Sequence, residues 1–321
     1  MESLAIINRY ISQPNGTTRN YDKVIYECSV FVETFQVPSG QQFGPEPDEM
    51  RPILAALNSE LAPDMEIYLI KILKILLRNP LNRRAIGRVG LSALVEALKR
   101  LSSGRPVAAG ELGNAVLNAC YNGENVGLFI EVGGVPPLCV LLRSRDVDVI
   151  ASTLGALQGV CYVPKGRHEV RGDIQTMSLI ATFLSSSDPL VRARAVGCVH
   201  NLSADGVSIS ALREVGCIAP LLALLREHSP EVCQAAAGTL QNMSRETASR
   251  NIILDMDATP MLLDLLFSAD VQCQVASIGA LMNILGPTLD EERMQQLKET
   301  LTDGLVLGAI ESCVFEPNIP P

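Results

Sequence analysis

One column of residues constrains this chain more than any other feature. Ile75, Asn118, Gly159, Asn201, Asn242 and Asn283 occupy the same place in six alanine- and leucine-rich segments, at successive intervals of 43, 41, 42, 41 and 41 residues. Two residues before each stands an aliphatic side chain: Leu73, Val116, Leu157, Val199, Leu240 and Leu281. Fifteen residues after Asn118, Gly159 and Asn201 come Gly133, Ile174 and Gly216, each opening a second short apolar run. A period of about 40 residues in helix-only sequence points to stacked helical repeats, in which no unit buries its own apolar face and neighbours close the core.

Each unit reads as three helices. In the clearest one, "SISALREVG" predicts a short first helix, "CIAPLLALLRE" a second and "SPEVCQAAAGTLQNMS" a long third, with Ser229 as N-cap and Pro230 at the first helical position. The same start recurs in "SDPLVRARAV". Composition agrees with an all-α chain: 47% of residues are apolar, only 4% are aromatic and tryptophan is absent, which suits close helix packing.

The segments "GGVPPLCVLL" and "AAAGTLQNMS" resemble the second and third helices of the armadillo repeat family. The resemblance runs from about Met50 to Pro287. It implies a right-handed α-solenoid, or superhelix, of about six three-helix repeats with capping helices, and a non-enzymatic scaffold or adaptor that binds another protein. The expected organisation is an N-terminal helical cap or degenerate leading repeat over 1–49, a repeat domain over 50–288 and capping helices over 289–321. The stretch "PKGRHEVRG", with Lys165, Arg167, His168 and Arg171, reads as a solvated turn.

Helix geometry bears on the asparagines. With Leu281 in the core, Asn283 lies about 200° around the helix and faces outward. The third helices of such a stack line its concave side, so Asn118, Asn201, Asn242 and Asn283 form a ladder of amides able to hold the main chain of an extended peptide. The armadillo resemblance implies the same role. An alternative is that each asparagine bonds a backbone carbonyl of the next loop and holds repeats in register. Around the column, Lys71, Lys74, Arg78, Asn114, Tyr121, Tyr162, His200 and Arg245 are expected to select ligand side chains. Glycines at 155, 197, 238 and 279 predict a smooth later face open to close approach. At the third rung, Gly159 replaces asparagine and Gln158 stands beside it.

Other chemistry is thinly represented. The net charge of −9 argues against a nucleic-acid partner. Three histidines and nine scattered cysteines make no metal-ligand spacing, so no metal, no cofactor and no catalytic residue is expected. The cysteines read as small buried hydrophobes of a reducing compartment, placing the chain in the cytoplasm with the nucleus also open to it. No run of about 18 apolar residues predicts membrane insertion, and a monomer is expected. Regulation of small GTPases, and a structural role in a cytoskeletal or ciliary assembly, are the alternative functions.

Overall fold

The computed structural model describes residues 2–12, 21–35 and 47–284, and all regular structure among them is helical. Two leading helices, α1 (Glu2–Ile11) and α2 (Tyr21–Phe35), precede a short α3 (Arg51–Ala56) and a long α4 (Pro63–Leu76). Three-helix repeats follow. They comprise α5 (Pro80–Ala85), α6 (Gly87–Ser102) and α7 (Pro106–Ala119), then α8 (Gly123–Glu131), α9 (Val135–Leu141) and α10 (Val147–Cys161). Next come α11 (Pro164–Arg171), α12 (Ile174–Phe183) and α13 (Pro189–Leu202), then α14 (Gly206–Glu214), α15 (Ile218–Leu224) and α16 (Pro230–Met243). The last described repeat is α17 (Thr247–Asp255), α18 (Thr259–Asp264) and α19 (Val271–Ile284). The fold is an armadillo-type α-solenoid, as the repeat period predicts.

Local chemistry sets these boundaries. Asn79, Asn122, Asp146, Asp173, Asp205 and Ser229 each accept a first-turn backbone N–H at a helix start, a cap worth about 1 kcal/mol apiece. Proline stands in the first turn of α4, α7 and α16, where a missing N–H costs nothing. Gly133 and Gly216 turn the chain between first and second helices with φ of 76° and 79°. Asp257 takes the same position in the last repeat at φ 51°, a left-handed conformation that costs a side-chain-bearing residue.

The chain divides into two compact units, Met1–Asn201 and Leu202–Pro321. In the first, the long helices lie side by side, α2 on α4, α4 on α7 and α7 on α10, while α6 packs beneath α7, α8 and α9. Leu73, Val116 and Leu157 are fully buried in that row, each contributing about 1.5–3 kcal/mol of burial. In the second unit, α16 packs on α19, with α15 under α16 and α18 under α19, and Leu240 and Leu281 buried in the same role.

Two details differ from the sequence expectation. The stretch read as a turn around Lys165 is helical, forming α11, because Gly166 lets its first turn press onto the preceding long helix. The leading segment Tyr21–Phe35 is a long helix that packs on α4 as the later long helices pack on one another, and Arg78 Nη1 donates to Phe35 O at 3.0 Å. The capping helices expected over 289–321 and most of the preceding 38–49 loop lie outside the described residues.

Candidate binding face

The last turn of an α-helix leaves backbone carbonyls without intrahelical partners, and that deficit explains the asparagine column. Asn118 Nδ2 donates to Lys74 O at 2.8 Å and Asn201 Nδ2 to Gln158 O at 2.7 Å. In the second unit, Asn283 Nδ2 donates to Gln241 O at 3.1 Å and Ser244 Oγ at 2.9 Å, and Asn242 Nδ2 to Ser203 Oγ at 3.0 Å. Each asparagine thus reaches back to the end of the long helix before it or the turn that follows. The bracing weighed from sequence is found with a different partner: three of the asparagines bond a carbonyl of the preceding repeat and not of the next loop, and Asn242 bonds a hydroxyl.

These side chains are nonetheless only half-buried. Their Oδ1 atoms accept no hydrogen bond among the described residues. One edge of each amide is anchored and the other is presented, so the carboxamides are fixed in orientation.

The remaining carbonyls at these helix ends have a second source of donors. Arg83 Nη1 donates to Arg78 O at 3.0 Å, Arg167 Nη1 to Cys161 O at 3.2 Å and Tyr162 O at 3.0 Å, and Arg250 Nη1 to Ser244 O at 3.0 Å and Arg245 O at 3.1 Å. Asn125 Nδ2 does the same for Ala119 O at 2.9 Å. Sequence reasoning named Arg167 only as part of a turn and did not single out Arg83 or Arg250. Their signal was there, since Arg83, Arg167 and Arg250 each stand eight residues after a column position.

The glycines near the column differ from expectation. A Cβ on Gly197 would meet Gln158 Nε2 at 2.4 Å, and one on Gly279 would meet Gln241 Nε2 at 2.1 Å. Gly155 is covered by Leu117 Cδ2 at 3.2 Å and Arg194 Cδ at 3.5 Å. The face at these places is therefore surfaced by side chains from neighbouring repeats and is not open backbone. Glycine is present because a neighbour's side chain needs the volume. Gln158 and Gln241 add two more carboxamides to the presented surface.

The expected selecting residues are placed as follows. Lys74 Nζ pairs with Glu111 Oε2 at 2.6 Å, Arg78 is committed to Phe35 O, and Lys71 is half-buried beside them. Tyr121 and Tyr162 are 66% and 75% exposed, and the Arg83 guanidinium carbon sits 5.8 Å from the centre of the Tyr121 ring. Asn114 lines a cavity of about 260 Å³ with Glu111, Asp146, Asp148 and Arg194. His200 is half-buried near the end of α13, and Arg245 is exposed just beyond α16.

Residues 124–161 and 208–245 match the armadillo/β-catenin-like repeat, and these spans coincide with the helix triplets α8–α10 and α14–α16. The chain carries armadillo repeats. Solved structures share the fold. A designed armadillo repeat protein is 22% identical with a TM-score of 0.67, covering 75% of this chain and 100% of its own. An engineered protein is 21% identical with a TM-score of 0.75, covering 88% of this chain and 68% of its own. A designed armadillo repeat protein in complex with the peptide (KR)4 is 22% identical with a TM-score of 0.64, covering 75% of this chain and 100% of its own. No curated protein matches the sequence.

Proposed function

We propose that this armadillo-repeat chain is a protein-binding scaffold that holds an extended segment of another protein along the face of its long helices. The observation that carries this reading is the anchored, half-exposed amide column, whose open edges suit the alternating N–H and C=O of an extended main chain. A designed armadillo protein with a peptide bound supports the same class of ligand. The chain acts as a monomeric adaptor in the cytoplasm. Its described cysteines are all free, and the Cys161 and Cys198 sulfurs lie 3.9 Å apart without a bond, which supports a reducing setting.

The test is affinity capture from lysate with three proteins: the wild type, a variant with Asn201, Asn242 and Asn283 changed to alanine, and a second variant carrying Gln158→Ala and Tyr162→Ala. The second variant is needed because the asparagines also brace the fold, whereas Tyr162 is exposed and the Gln158 carboxamide makes no bond among the described residues. The proposal expects the same partners to be lost from both variants while circular dichroism of the second stays unchanged. Retention of all partners by the second variant moves binding elsewhere, for which the half-open cavity of about 750 Å³ between α3 and α6, bordered by Leu54, Ile86 and the exposed Val89, is the next place to examine.

A further inference from the structure

Charge is unevenly distributed along the long helices of the first unit, and the difference selects a ligand. Beside the column stand Lys71 on α4 and Arg78 in the turn after it, with Arg83 and the exposed Arg84 in the helix that follows. Lys71 makes no ion pair among the described residues. Tyr121 and Tyr162, three residues past their column positions, extend the row with two exposed rings. Of the carboxylates that α7 and α10 carry, Glu111 is neutralised by Lys74, and Asp146 caps α10 through its first-turn N–H groups.

The exposed Asp148 is eleven residues before Gly159, about 16 Å along the helix, but it borders the same cavity as Asn114, with Arg194 beside it, and counts as an acid of the row. Glu33, exposed in the last turn of α2 two residues before the Phe35 carbonyl that Arg78 bonds, and Glu124, in the first turn of α8, are further exposed acids beside the row, and the exposed Asp64 at the start of α4 accepts the Tyr21 hydroxyl. With Arg194 counted among them, the cations outnumber these acids beside the amides, on a chain whose net charge is −9.

We propose that this row binds an acidic extended segment of a partner protein, its main chain on the Asn118 amide with the Gln158 carboxamide beyond it, its carboxylates towards Lys71 and Arg78, and its course crossing Tyr121 and Tyr162. The proposal rests on the reading of this face as the ligand surface. From α4 to α10 there are two helix-to-helix steps of about 8–10 Å each, which about five or six extended residues span at roughly 3.3 Å per residue. The charge preference is the reverse of that implied by (KR)4, the peptide held by the designed armadillo protein.

The experiment titrates the full chain into fluorescein-labelled (DE)4 and (KR)4 and follows anisotropy at low and at high salt, with Lys71→Glu and Tyr162→Ala as variants. The expected result is (DE)4 binding at least about tenfold tighter than (KR)4 at low salt, a preference that shrinks at high salt as screening requires. Lys71→Glu should weaken (DE)4 about fifteenfold at low salt, the effect of reversing one charge within about 5 Å in water. Equal affinities, no binding of (DE)4, or tighter binding of (KR)4 each overturn the charge assignment. Tighter binding of (KR)4 that Tyr162→Ala weakens overturns the sign while leaving the face as the ligand surface. Tight (DE)4 binding indifferent to both variants places the acidic site off this face and removes both readings together.

Discussion

Glu246 gathers more donors than any other carboxylate among the described side chains of the second unit. Ser210 Oγ donates to it at 2.7 Å, Ser249 Oγ at 2.6 Å and Arg213 Nε at 2.9 Å. Burial alone would raise its pKa, but the hydrogen bonds from Arg213, Ser249 and Ser210, together with the arginine's charge, bring it down to about 2. A carboxylate held below its unfolded value of about 4.3 stabilises the fold above that pH and loses the contribution as pH falls from there towards 2. Glu246→Gln is expected to cost about 1–2 kcal/mol at neutral pH, and urea unfolding followed from neutral pH down to pH 2 should show the two proteins converging. Two backbone sites give opposite expectations. A Cβ on Gly166 would lie 1.9 Å from Val160 O, a backbone atom that cannot swing aside, so Gly166→Ala should cost about 3 kcal/mol or prevent folding, read as a lowered melting temperature. Asp257 holds a left-handed conformation that glycine takes in two other repeats, so Asp257→Gly should raise stability by about 0.5–1 kcal/mol in the same assay.

Among the elements, the long helices depend on donors that come from outside themselves. Arg83, Arg167 and Arg250 reach back five and six residues to the exposed carbonyl ends, where a cation also opposes the negative pole of the helix. Arg250→Ala should cost about 1–2 kcal/mol in chemical denaturation, and lysine should restore only part of it, because an ammonium can replace Nη1 at the two carbonyls but not the separate bond of Nη2 to Thr247 Oγ1 at 2.9 Å. The helical type and the repeating order of the elements were legible in the sequence because apolar spacing and starts made of a small polar residue and proline carried one period. What was not legible was where side chains of one repeat lie on the next. The glycines at 197 and 279 read as open backbone, yet their space is filled by Gln158 and Gln241, a relation between residues about 40 positions apart. For the same reason the outward direction of the asparagines could be read from helix geometry, while the carbonyls that anchor Asn118, Asn201 and Asn283 could not. The short helix α11 was missed because its lysine, arginines and glycines carry no apolar periodicity, its position being fixed by the close approach of Gly166 and by Arg167, only 9% exposed.

At the scale of the molecule, stability in a repeat protein is a sum of units and the interfaces between them, and the asparagine column lies in those interfaces. Its amides do two jobs with different edges: Nδ2 closes the end of a neighbouring helix or turn, and Oδ1 faces outward. Substitution disturbs both at once, so the most direct measurement leaves the column intact. Side-chain amide resonances of Asn118, Asn201, Asn242 and Asn283 can be followed by NMR in protein labelled with ¹⁵N, while the partner segment recovered by capture is titrated in. The account predicts saturable shifts of these NH2 signals at the affinity measured for the segment, with the first and second helices of each repeat unmoved. Saturable binding that shifts signals of those helices and leaves all four asparagine amides in place would contradict it, and would make the column a brace alone.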